Sequence, residues 1–236
     1  MKKILIICTM FLIASTACLG GCGAKKQVQV FTYEENEDGS LTITGLTEKG
    51  KTDSRLSIPS EIDGKAVSAI GREAFRDNVY VTEIVMSDGL MRIAENAFFS
   101  CTKLSDITFS KDLKEVGTNA VRNTAWEKAQ LQDNKEIIIG DILVEVGEIG
   151  DSYSVPDGVK RIASGVFYCN ETLTEVYLPE NLEYIGSYAF AECKNLENIH
   201  IPESVEVIGF DAFLNIPVIQ YSGNADGSPW GAGAVQ

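Results

Sequence analysis

Residues 173–190 read Leu-Thr-Glu-Val-Tyr-Leu-Pro-Glu-Asn-Leu-Glu-Tyr-Ile-Gly-Ser-Tyr-Ala-Phe, and residues 196–213 read Leu-Glu-Asn-Ile-His-Ile-Pro-Glu-Ser-Val-Glu-Val-Ile-Gly-Phe-Asp-Ala-Phe. The second stretch repeats the first at an offset of 23 residues. A fixed period of this length is the mark of a solenoid, in which each repeat is one unit that cannot bury its apolar side alone. Walking the offset of 23 through the chain gives three columns. The first is Ile70, Ile93, Val116, Ile139, Ile162, Ile185 and Ile208, all β-branched aliphatics. The second is Gly71, Ala94, Gly117, Gly140, Ala163, Gly186 and Gly209, all Gly or Ala. The third is Phe75, Phe98, Val121, Val144, Phe167, Phe190 and Phe213. The columns predict about seven coils of 23 residues with these side chains in single file.

One coil can be read from its chemistry. Val176 and Leu178 alternate with Glu175 and Tyr177, the period of a half-buried strand. Pro179 ends that strand because it has no N–H to give to a ladder. Leu182 and Ile185 send a second short extended piece inward, and Gly186 permits close backbone approach or a corner. Ala189 and Phe190 suggest a helical turn that plants a large ring in the core. The predicted fold is a mostly β solenoid with short helical turns.

The pattern LxxIxLPxxLxxIGxxAFxxC resembles the BspA-like, or Treponema-type, leucine-rich repeat. Leu173 to Cys193 matches it nearly position by position, and Leu196 to Phe213 almost as well. Val81 to Cys101 matches with Ser87 in place of Pro, and Leu104 to Val121 weakly, with Ser110 for Pro and Val for Phe. Pro156 to Phe167 matches in its second half, and the likeness extends over residues 31–221. The resemblance implies a leucine-rich-repeat solenoid on a surface-exposed protein that adheres to host or bacterial components. It brings no catalytic residues.

Departures from the pattern define the ends and the middle. Phe31 to Tyr33 and Leu41 to Thr44 alternate across Glu37-Asp38-Gly39, which predicts a hairpin. Residues 29–46 are therefore expected to cap the first coil, and residues 55–75 to form an expanded coil. Residues 127–155 read as an irregular coil with its own hairpin, Gly140-Asp141 supplying a turn. The solenoid is expected to run over residues 29–221, and residues 222–236 to be a tail that covers the edge and then runs loose.

The N-terminus reads as an address. Lys2 and Lys3 precede an apolar run from Ile4 to Ala17, short for a membrane span of about 20 residues. Leu19-Gly20-Gly21-Cys22 resembles a bacterial lipobox, which implies a signal peptide over residues 1–21, diacylglycerol on the Cys22 sulfur, and a tether over residues 22–28. Two acyl chains hold a protein on a bilayer where one holds it marginally. The predicted location is the extracytoplasmic face of a bacterial cell membrane.

Charge narrows the partners. Taking Lys2 and Lys3 from the 20 basic residues leaves 18 against 34 acidic ones, a net charge of −16. Nucleic acid is excluded, because phosphate binding draws on clustered Lys and Arg. Of six cysteines, Cys8 and Cys18 leave with the signal and Cys22 takes lipid. Cys101, Cys169 and Cys193 remain, an odd number without CxxC spacing, so neither a disulfide framework nor a zinc site is expected, although Cys169 and Cys193 lie on successive coils. His200 is the only histidine and has no evident relay partner. No G-x-S-x-G elbow occurs, and Asn224-Ala-Asp-Gly-Ser begins like a calcium loop but places Val235 at its twelfth position. No catalytic residue, metal or cofactor is predicted.

The candidate site is the outward column of the strands: Glu83 and Val85, Asp106 and Thr108, Ser152 and Ser154, Glu175 and Tyr177, Asn198 and His200. A solvated sheet face is the plain alternative. As a ligand surface, its acids suit a basic or hydroxyl-rich partner and its Tyr is a common anchor. The leading functional reading is a surface binding or adhesion module for a protein or glycan. The others are an architectural lipoprotein with a partner in the same membrane, and an enzyme or its sensing subunit.

Overall fold

The computed structural model describes residues 30–236, and the predicted signal peptide, the lipidation site Cys22 and the tether lie outside them. The chain winds into a β-solenoid of about 8 turns of about 23 residues. Its strands are β1 (Phe31–Glu35), β2 (Leu41–Leu46), β3 (Arg55–Ile58), β4 (Glu61–Ile62), β5 (Lys65–Ile70), β6 (Glu83–Met86), β7 (Arg92–Ile93), β8 (Asp106–Thr108) and β9 (Glu115–Val116). Helix α1 (Ala125–Asp133) follows, then β10 (Glu136–Ile139), β11 (Ile142–Val146), β12 (Ser152–Ser154), β13 (Arg161–Ile162), β14 (Glu175–Tyr177), β15 (Tyr184–Ile185), β16 (Asn198–His200), β17 (Val207–Ile208), β18 (Val218–Gln220) and β19 (Ala234–Val235).

Each regular coil contributes one strand to each of two parallel ribbons. The first ribbon runs β3-β6-β8, then β12-β14, then β16-β18-β19. The second runs β1-β2-β5-β7-β9 and β10-β11-β13-β15-β17. Antiparallel pairing enters only through hairpins: β1 with β2, β4 with β5, and β10 with β11. The first of these closes the N-terminal edge, since β2 pairs in parallel with β5.

The side opposite the strands is built from consecutive tight turns, where a helical turn was expected. Ala74 N donates to Gly71 O (3.3 Å) and Arg76 N to Glu73 O (3.1 Å), while Phe75 N donates to Ala97 O on the next coil (2.8 Å). Alternate amides thus bond within the coil and to its neighbour. The geometry requires left-handed backbone twice per coil, at Asn96 (φ 56) and Ser100 (φ 58), and again at Tyr188 (φ 57) and Glu192 (φ 60). Gly186 is demanded by proximity, because a Cβ there would stand 2.5 Å from Ser164 N of the preceding coil.

The core divides into two clusters, one from Phe31 to Ile142 with Ala163, the other from Leu143 to Ala232. Within the second, the rings of Phe167, Phe190 and Phe213 stack at 4.8 and 5.6 Å. In the first, Phe75 stacks on Phe98 at 5.2 Å. The join corrects the predicted single file. Ile70, Ile93 and Val116 stand in register, as do Ile162, Ile185 and Ile208. The residue paired with Ile162 is Leu143 and not Ile139, which pairs antiparallel with Ile142 at the tip of the β10–β11 hairpin. Gly140 forms that hairpin turn at φ +64 and does not stack with the Gly/Ala column. Across the join, Ser164 N donates to Val116 O at 3.4 Å.

The last 15 residues are not loose. Trp230 is buried and meets Tyr221 edge-on at 5.6 Å, while β19 pairs with β18. The three cysteines of the described residues are free. Cys101 and Cys193 are buried and donate to Phe75 O and Phe167 O at 3.0 Å, whereas Cys169 is exposed. Burial pushes both buried thiols up to about 11.

Candidate binding face

All ten residues singled out from the sequence lie on strands of the first ribbon, and their inward neighbours fill the core. Ile84, Tyr153, Val176 and Ile199 are buried between exposed or half-exposed flanks, which is what strand alternation requires. Register places Glu83 beside Asp106, Val85 beside Thr108, Ser152 beside Glu175 and Ser154 beside Tyr177. Arg55 Nη2 bonds Glu83 Oε2 at 2.6 Å, offsetting one of two neighbouring acids. Tyr177 is 57% exposed, and its hydroxyl donates to Glu175 Oε2 at 2.8 Å, which raises the phenol's pKa.

The structure does not bring the ten together on one unbroken surface. The ribbon is cut after β8, where α1 takes the place of a strand and Trp126 N donates to Leu104 O (2.7 Å). Glu83, Val85, Asp106 and Thr108 therefore form one patch, and Ser152, Ser154, Glu175, Tyr177, Asn198 and His200 another. A helix displaces the strand because Thr124-Ala125-Trp126-Glu127 is a helix start. Thr124 Oγ1 accepts from Glu127 N at 3.0 Å, and Glu127 Oε2 accepts from Asn123 N at 3.1 Å.

The repeat pattern of the BspA-type leucine-rich-repeat region matches in 6 copies over residues 67–143 and 150–222. The chain belongs to the BspA-type leucine-rich-repeat family. No curated relative matches it. Among solved structures it is similar to the T. pallidum leucine-rich-repeat protein, at 23% identity over 84% of this chain and 82% of that one, with a TM-score of 0.44. It is also similar to a leucine-rich cell surface protein from Faecalibacterium prausnitzii, at 25% identity over 89% of this chain and 56% of that one, TM-score 0.45. A Bacteroides ovatus leucine-rich-repeat protein matches at 22% over 82% of this chain and 58% of that one, TM-score 0.44. Membership in the BspA-type family implies a protein-binding role.

Two features of this BspA-type chain escaped the sequence reading. One is a carboxyl pair in the irregular coil. Glu145 is pushed up to about 7, first by burial and then by the charge of Glu127, to which it also hydrogen-bonds, while Arg122 opposes the shift. Thr-x-x-Glu at 124–127 was a legible signal for the helix, but nothing local announces that Glu145 would meet it. The other is a cavity of about 710 Å³ with a floor of Phe109 and Trp126, rings 5.2 Å apart. Among the described residues no group of three His, Cys, Asp or Glu could hold a metal ion, and no helix is long and apolar enough to cross a membrane.

Proposed function

We propose that this protein is a lipid-anchored binding module at the outer face of a bacterial membrane, held by Cys22 and presenting the β12–β14–β16 patch to a partner protein carrying basic groups. The observation that carries this reading is the placement of Ser152, Ser154, Glu175, Tyr177, Asn198 and His200. All six are exposed, on strands whose inward residues are buried in the core. A preformed face costs little ordering on association, and an exposed Tyr supplies large contact area at low entropic cost. Acids unpaired by a neighbouring cation suit Lys or Arg on the partner.

The test is capture from surface and matrix fractions by the full chain, compared with the chain carrying Glu175→Ala and Tyr177→Ala together. Loss of the captured protein with an unchanged melting temperature supports the reading. Equal capture by the variant places the partner on another face. Protease access on intact cells separates a partner outside the cell from one within the same envelope.

A further inference from the structure

The first ribbon opens at one place within the regular coils. In the β12–β14 pair, Thr174 N and Glu175 N donate to Asp151 O at 2.7 and 3.1 Å, and Val155 N donates to Tyr177 O at 2.9 Å. The ladder resumes between β16 and β18, where Val218 N donates to Glu197 O (3.3 Å) and Ile201 N to Gln220 O (2.9 Å). Between β14 and β16 the corresponding bonds are not made among the described residues: Glu197 N and Asn198 N do not reach Thr174 O, nor Leu178 N His200 O. The same two coils are joined on their other sides, by β15–β17 pairing and by Phe190 N donating to Ala212 O at 2.8 Å. The separation is therefore local. It leaves a cavity of about 490 Å³ lined by Glu175, Tyr177, Glu197, Asn198 and His200.

That volume falls within the range of small-ligand sites, about 300–1,000 Å³. A peptide strand does not fit between the parted edges. Inserting one requires about 9.6 Å, two strand spacings, whereas Cα atoms of β14 and β16 approach within 8 Å, so an occupant lies across the mouth of the opening, against the outward side chains, and not between the backbones. The groups lining the cleft are mixed, main-chain N–H and the Asn198 amide beside carbonyl and carboxylate acceptors. A sugar hydroxyl both donates and accepts. The Tyr177 hydroxyl is held by Glu175, which fixes the ring beside the cleft as a stacking platform. Glu175 and Glu197 repel carboxylates, and the nearby Lys194 is tied to Glu171 at 3.3 Å.

We infer that the opening between β14 and β16 is a subsite for an uncharged pyranose ring, by which the surface module reads neutral glycans and rejects acidic ones. The inference rests on the ribbon being the binding face. Its test uses the full chain in calorimetric titrations with maltotriose, cellotriose, triacetylchitotriose and trigalacturonic acid. At least one neutral trisaccharide is expected to bind and trigalacturonate not to. Tyr177→Ala is expected to weaken binding at least about tenfold, while Tyr177→Phe retains it. Amide exchange at Val176, Leu178, Asn198 and His200 is expected to slow when the sugar is present. Failure of all three neutral sugars to bind, equal binding of trigalacturonate, or full binding by Tyr177→Ala overturns the subsite. If protein capture still depends on Glu175 and Tyr177 in that event, the ribbon reading stands without it.

Discussion

The coils from Tyr153 to Tyr221 and the stretch from Thr124 to Gly150 are built from similar residue types and solve opposite problems. In the first, the second ribbon pairs strand on strand through β13, β15 and β17, and Phe167, Phe190 and Phe213 form one stack of rings. In the second, a capped helix and a hairpin replace the coil, the ring column of the first half ends on Val121, Phe167 meets Tyr153 in place of a column ring, and the core divides. One coil of departure makes a seam, and a half-buried acid pair and a cavity of about 710 Å³ gather beside it. Sites where local rules are broken are where natural proteins place special chemistry.

The sharpest test of this contrast is the ring stack. Phe190 is fully buried with a ring on each face, so Phe190→Ala removes contacts to both neighbouring coils and is expected to cost about 3–5 kcal/mol. Val121→Ala, at the seam, deletes fewer atoms next to a side that has already parted and is expected to cost clearly less. Urea denaturation of both variants checks the order. Equal losses would mean that the two halves share one cooperative core after all. A smaller effect is expected at Gly186, whose α-hydrogen faces Ala163 and Ser164. Gly186→Ala forces the preceding coil to shift and is expected to cost about 1–3 kcal/mol. Gly140→Ala meets no atom, so its cost comes from the left-handed backbone of its turn alone.

How much of this was legible follows from what repeats and what does not. Columns 70/93/116 and 162/185/208 were readable because inward β-branched residues recur at every regular coil. The outward identity of Glu175, Tyr177, Asn198 and His200 followed from strand alternation alone. The column failed at Ile139-Gly140 because a hairpin asks for the same residue types: a β-branched strand end followed by a glycine turn. The left-handed positions were legible only in part, since Asn96, Asn119, Gly165 and Asp211 are residue types that accept this backbone, whereas Glu73 and Tyr188 in the same file give no such signal. The parting of β14 from β16 left no trace either, because the residues there obey the pattern as well as those of any laddered pair.

The seam's acid pair gives the smallest expected effect and the most specific one. Glu145 sits against Glu127, whose carboxylate is engaged by Asn123 N, and burial disfavours a second charge beside it. The folded chain therefore keeps a proton on Glu145 up to about 7, whereas the unfolded chain loses it near the ordinary carboxyl value of 4.5. Between those values the fold binds more protons than the unfolded chain, so stability falls as pH rises through the window and this group adds no further slope above it. Allowing for solvent screening of a half-buried group, the loss is expected to be about 1–2 kcal/mol, a few degrees in melting temperature. Glu145→Gln keeps a donor toward Glu127 and removes the titration. Melting curves from pH 5 to pH 8 should slope less in this variant than in the parent, with the two converging at the acidic end. Parallel curves would mean that the pair does not share a proton and that the seam is held by packing alone.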